Sequence, residues 1–383
     1  MQTIEKPVEQ ANAAVSVETT RIGRRVEFID AVRGIAALLV MLEHYSEYWF
    51  APFTVEAAKY VNLGRLGVIS FFLVSGFVIP MSIERKDDLR AFWISRVCRL
   101  YPAYWAGLIF LVLTATVTAL AGNPTLQQDL SAVSVKRWIS NVLMVQLFAG
   151  DKDIIKVAWT LGLEWIIYIS ASVLHARGLL KRTPLLYWIT VNLIILGALA
   201  VPLVLNRRVP FAAVSALTSA IAGLALFRLW KNELTAKKAW MMVGSILALV
   251  LVGSWVNYGL FPARTETNLT ITPMSAMTST ALGYALFIVP FLRPAWSYPA
   301  ILTSLGRLSY SLYLFHDIAP RPTFLTGAAG FFFQIAEALV LAYLCYRFVE
   351  VPGIALGKRW IARGSTKAAG PSVPEKPQVS SVV

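Results

Sequence analysis

FIDAVRGIAALLVMLEHYSEYWF, residues 28–50, decides how the rest of the chain reads. Its length matches the roughly 20 predominantly apolar residues that a helix needs to cross the hydrocarbon of a bilayer. Further apolar runs of similar length follow at 64–83, 101–121, 157–175, 184–205, 211–229, 239–259, 275–292, 298–316 and 328–349. The 383 residues are 57% hydrophobic and 15% charged, against about half and a quarter in soluble domains, which excludes a string of soluble domains. The sequence therefore predicts an all-α fold, a polytopic integral membrane bundle of about ten transmembrane helices.

Residues 1–27 are polar and lack the short apolar segment and small-residue cleavage site of a secretory signal, so they are expected as a flexible cytoplasmic tail. The membrane domain is expected over 28–352, and a second cytoplasmic tail, basic and then rich in Pro and Ser, over 353–383. Between the third and fourth runs, the apolar patch Trp138–Phe148 is too short to cross and reads as a surface helix or a re-entrant piece. A net charge of +14 would suit a nucleic-acid partner if it were clustered, but the cations lie between apolar runs and no such partner is expected. With both termini in the cytoplasm, inside segments hold 24 of the 35 Lys and Arg residues and outside loops hold 10, the bias that sets membrane orientation. Cys98 and Cys345 stand at unrelated positions, and the sequence shows neither a disulfide framework nor a metal-ligand cluster.

Ionisable residues inside such runs are costly and are functional candidates by default. Arg33 and His44 are eleven residues apart, which returns to nearly the same helix face about 16 Å further along. Either they are site residues, or Arg33 snorkels to headgroups while His44 sits in the outer interface. Histidine suits general-base work because its ordinary pKa of about 6.5 leaves much of it neutral near pH 7. Of the other two histidines, His175 adjoins the basic connection after the fourth run, and His316 ends the ninth with Ser309 seven residues behind it on the same face. Arg96 and Arg99, three apart just before the third run, either clamp phosphates of a cytoplasmic ligand or simply fix topology. Thr160, Glu164 and Tyr168 follow an i, i+4 stripe, with Glu164 too deep for a casual surface charge. Gly67, Ser75 and Gly76 in GVISFFLVSGF suit close helix packing, and Ser75 lacks the flanks of a nucleophile elbow.

Taken in chain order, these elements resemble the acyltransferase-3 membrane family. Arg33 and His44 fit its Arg-x10-His pattern, GVISFFLVSGF its second-span signature, and Arg96, Arg99, Tyr101 and Pro102 its Arg-x-x-Arg-x-Tyr-Pro element. Trp159, Thr160, Leu161 and Glu164 resemble its Trp-Thr-Leu-x-x-Glu segment, Ser309 to His316 its SYSLYLFH segment, and Tyr346 to Pro352 its closing element. The match covers about residues 28–360 and departs at Ile69, where many relatives carry an acidic residue. The carboxy-terminal esterase-like domain of some relatives is not expected here, since only about twenty polar residues follow Trp360.

The resemblance implies a multi-pass O-acyltransferase of a bacterial inner membrane. It implies transfer of an acyl group, most often acetyl, from cytoplasmic acyl-coenzyme A to a hydroxyl of a sugar in an exopolysaccharide, O-antigen or lipid-linked glycan, with no metal. A secreted small molecule such as a macrolide is an alternative acceptor, and polysaccharide-assembly proteins are candidate partners. The roles implied are His44, Arg33 and Glu164 at the chemistry, and Arg96, Arg99 and Tyr101 at the acyl-coenzyme A. Ser75, Trp159, Ser309, Tyr310, His316 and Glu350 stand at acceptor-facing or supporting positions. The competing reading is a transporter or flippase for a lipid-linked or acylated saccharide, in which the same Arg, His and Glu line a substrate or proton pathway.

Overall fold

The computed structural model describes residues 5–261, 263–264, 270–293, 296–322 and 324–368. The Pro- and Ser-rich end expected as part of a tail, 369–383, lies outside the described residues, as do the first four. The fold is a helical bundle. Among the described residues, eight helices are long and apolar enough to cross a membrane, counting α-helices together with the π turns that continue them.

Helix α1 (Glu5–Trp49) contains the first apolar run, and a short α2 (Ala51–Ala57) follows it. Helix α3 (Leu63–Lys86) is capped by Asn62, whose side chain accepts from the Arg65 amide. Helix α4 (Leu89–Leu120) starts earlier than the apolar run it contains, because the Asp88 side chain caps it by accepting from the Ala91 amide. Arg96 and Arg99, expected ahead of this span, therefore lie two to three turns inside its helix. Three short helices follow, α5 (Thr125–Ser131), α6 (Val135–Val142) and α7 (Gln146–Ala149). Val135, Ile139, Leu143, Leu147 and Phe148 are exposed there, while the Tyr101 hydroxyl of α4 donates to the Leu143 carbonyl at 2.8 Å. This apolar piece thus folds back along α4 into its first half, as a re-entrant segment would.

Helix α8 (Trp159–Ala176) carries the Thr160 stripe. Helices α9 (Thr183–Leu193) and α10 (Val201–Leu205) are joined into one rod by a π turn, Ile194–Ala200. Then come α11 (Phe211–Trp230), α12 (Ala236–Ser254), a two-residue antiparallel pairing of β1 (Ala263–Arg264) with β2 (Thr270–Ile271), and α13 (Pro273–Leu292). The ninth run is broken into α14 (Ala300–Arg307) and α15 (Ser309–Ile318), because Leu308 leaves the helical region at φ −90°, ψ 4°. Helix α16 (Gly327–Cys345) continues through a π turn, Tyr346–Glu350, into α17 (Val351–Ala368), which packs on α4.

Helix α3 is the hub, packing against α1, α11 and α13. Lipid tails are as apolar as leucine, so close backbone approach at small residues supplies much of the attraction between membrane helices. A methyl group on Gly76 would overlap the Ala220 carbonyl, and one on Gly223 would overlap the Leu73 carbonyl, so α3 and α11 touch backbone to backbone. At the end of that contact Arg228, 2% exposed, bonds Glu84 at 2.6 and 3.0 Å, Glu233 at 2.7 Å and the Leu180 carbonyl at 3.0 Å. Gly223→Val should separate the two helices at a cost of about 1–3 kcal/mol, the usual price of overpacking. Thermal unfolding in detergent should show a lowered midpoint for this variant, while Gly244→Val, where nothing lies within 4 Å, stays near wild type.

Candidate functional site

Where α1, α3, α4, α8 and α15 meet, they enclose a cavity of about 210 Å³. Arg33, Arg96 and Arg99 line it together with Asp30 and Glu164, and Ser75, Thr160, Tyr168, Ser309, Tyr310 and Tyr313 complete its polar lining. The three arginines differ in their partners. Arg33 stands 4.0 Å from Asp30, and Arg99 stands 3.6 Å from Glu350. Glu350 closes the π turn, is 1% exposed, and accepts from the Ser311 hydroxyl at 2.8 Å. Arg96 makes no ion pair among the described residues; its guanidinium lies over the rings of Phe92 and Tyr168, and its Nε has no hydrogen-bond partner. A guanidinium held against aromatic rings rather than by a carboxylate keeps N–H groups available to an anion.

The stripe read from the sequence is brought together here. Thr160, Glu164 and Tyr168 all line the cavity, and the Tyr168 hydroxyl donates to Glu164 at 2.5 Å. Glu164 therefore sits in the same cavity as the three arginines. Ser75 and Ser309 also face the cavity, and among the described residues the buried Ser309 hydroxyl has no hydrogen-bond partner. Tyr310 contributes its ring, while its hydroxyl donates to the Leu100 carbonyl at 2.9 Å. Two expected residues point elsewhere. Tyr101 turns toward Leu143, and Trp159 packs against the cluster of Phe72, Leu163 and Ala216.

His44 and His316 do not line the cavity. They lie past its far end, on Tyr313. The Tyr313 and Thr160 hydroxyls share a hydrogen bond of 3.1 Å, and the Tyr313 ring meets Phe71 at 5.7 Å and His316 at 5.7 Å. Behind it, His316 Nε2 is 2.9 Å from His44 Nδ1. His316 is buried and His44 is exposed, so the pair leads outward from behind Tyr313. The Tyr45 hydroxyl donates to the His316 carbonyl at 2.9 Å, fixing α15 against α1. The direct contact of the two histidines, the partition by Tyr313, and the half-buried Asp30 were not read from the sequence. Tyr313 carried a usable signal, one helical turn ahead of His316.

The described residues hold no group of three or more His, Cys, Asp or Glu side chains arranged for a metal ion. The chain matches the acyltransferase-domain family over residues 26–352. It is 26% identical over 371 residues to a Staphylococcus aureus (strain COL) protein whose name describes an O-acetyltransferase, covering 86% of this chain and 57% of that one. It is 26% identical over 406 residues to the acyltransferase MdmB of Streptomyces mycarofaciens, covering 93% of this chain and 98% of the relative. A protein of Acidianus two-tailed virus named as an acetyltransferase is 23% identical over 321 residues, covering 82% and 88%. The chain thus spans somewhat over half the length of the staphylococcal relative and nearly all of MdmB. No solved structure matches it. With the ordered motifs converging on one polar cavity and the family match running through nearly the whole bundle, the chain belongs to the acyltransferase-3 family.

Proposed function

We propose that this protein is a membrane O-acyltransferase that moves an acyl group, acetyl in the simplest case, from cytoplasmic acyl-coenzyme A to a hydroxyl of a saccharide. The saccharide belongs to an envelope or exported glycan at a bacterial inner membrane. One observation supports the reading above the others: a cavity lined by three arginines ends on Tyr313, whose ring touches a histidine hydrogen-bonded to a second, exposed histidine. That order matches what the reaction needs, an anion-binding end for the donor and a base at the end open to the acceptor.

In this reading Arg96, which among the described residues has no ion pair, takes donor phosphate, assisted by Arg99. Arg33 draws the thioester into the bundle, and Tyr313 swings aside to let the acyl group pass. The acceptor oxygen attacks the thioester carbonyl carbon as His44 Nε2 takes the hydroxyl proton. The carbon–sulfur bond then breaks, and the thiolate leaves as the thiol by taking up that proton. General-base assistance of this kind contributes about 10²–10⁴-fold. Asp317 interacts electrostatically with His44 and accepts from the backbone amides of Lys156 and Val157, so it steadies the imidazolium formed in the step.

Two measurements test the assignment. His44→Ala should insert and accumulate normally yet lose labelled acyl transfer to membrane glycans by at least about 10²-fold; turnover near wild type contradicts the catalytic role. Arg96→Ala should weaken coenzyme A binding by about 10–100-fold, the worth of a charge-assisted contact. Acceptor affinity should stay unchanged in that variant, and an unaltered coenzyme A affinity contradicts the phosphate role.

A further inference from the structure

His316 is 2% exposed, and its ring lies between two fixed partners. Its Nδ1 is 3.1 Å from the Leu312 carbonyl oxygen, one turn back on α15. A carbonyl oxygen can only accept, so the proton of this ring is on Nδ1. A buried imidazole without a carboxylate hydrogen bond is stable as the neutral ring, and its Nε2 is then an acceptor. That acceptor stands 2.9 Å from His44 Nδ1, which must therefore donate. The rings lie within 12° of parallel with centroids 5.1 Å apart, the separation expected of two imidazoles meeting nitrogen to nitrogen in one plane. The Tyr45 hydroxyl on the His316 carbonyl and the edge of Tyr313 against its ring hold this arrangement in place. With its proton committed to Nδ1, His44 is left with a free lone pair on Nε2, on the exposed side of the pair.

We propose that His316 is a positioning residue: it locks His44 into the Nδ1–H tautomer, so that Nε2 is the nitrogen presented to the acceptor hydroxyl. The chain of contacts runs from the Leu312 carbonyl through His316 to His44, and it plays the part that a buried carboxylate plays beside a catalytic histidine elsewhere. A neutral partner suits this depth because it orients the base without adding a second charge to the apolar bundle. The proposal rests on His44 being the base, but the tautomer can be read without turnover.

The test is the nitrogen-15 spectrum of histidine-labelled full-length protein in lipid nanodiscs, with His44 assigned by comparison with His44→Asn. Wild type should show His44 protonated on Nδ1 and bare on Nε2. In His316→Ala that preference should be lost, and kcat should fall by about 10–100-fold, the effect of removing one well-placed hydrogen bond to an ionising group. The KM for the acyl donor should not move. His316→Gln, whose amide oxygen can accept from His44 Nδ1, should restore both the tautomer and most of kcat. His44 protonated on Nε2 in the wild type overturns the proposal, as does His316→Ala with unchanged spectrum and kcat, or His316→Gln behaving like His316→Ala. The wild-type spectrum decides even where His316→Ala fails to fold. Activity surviving in His44→Ala would instead overturn the base assignment and leave the tautomer result standing.

Discussion

Charge inside hydrocarbon must be answered inside hydrocarbon, because the unpaired alternative costs several kcal/mol per group. That constraint organises the bundle at two levels. At one end Arg228 is enclosed by Glu84, Glu233 and the Leu180 carbonyl, which ties the ends of α3 and α11 together where their backbones already touch. Nearer the centre the same rule places Asp30 beside Arg33 and Glu350 beside Arg99, each pair meeting at the limit of an ion pair rather than in close contact. In the proposed reaction, such loose pairing lets the arginines exchange a carboxylate for an incoming phosphate. The Arg228 cluster, closed by bonds of 2.6–3.0 Å, has no such freedom.

The proposed chemistry lives in the difference between those clusters. Arg96 completes the set by lying on aromatic faces instead of on an acid, which spares it an ion pair that a ligand would have to displace. At the far end, among the described residues, the histidine pair holds no carboxylate in hydrogen-bond contact, and Asp317 acts on it electrostatically. The site thus grades from charged and paired to neutral and hydrogen-bonded along its length. A charged donor and an uncharged hydroxyl need those two environments in that order.

Much of this was legible in the sequence because period and length constrain membrane helices so strongly. The apolar runs, the i, i+4 stripe of Thr160, Glu164 and Tyr168, and the three-residue step from Arg96 to Arg99 all reach one cavity as their spacing requires. Two local features escaped for a physical reason: they depend on backbone departures that hydropathy does not register. The break at Leu308 divides the ninth run and starts α15 with Ser309 on the cavity, and the π turn at Tyr346–Glu350 ends in the buried Glu350. The His44–His316 contact escaped for another reason, since residues 272 apart in sequence meet only through the packing of α15 on α1. Tyr101 and Trp159 belong to recognisable motifs, yet their side chains serve packing against the re-entrant piece and against α3 and α11.

In the proposed reaction, donor and acceptor meet across the partition at Tyr313, from opposite faces of the membrane. Sealed inside-out vesicles carrying the protein and its native glycans, supplied with radiolabelled acetyl-coenzyme A outside, test it most directly. Label should appear on lumenal glycan, protected until the vesicles are opened, from donor presented only at the arginine face. Label confined to the outer face, or transfer that requires donor in the lumen, would contradict it.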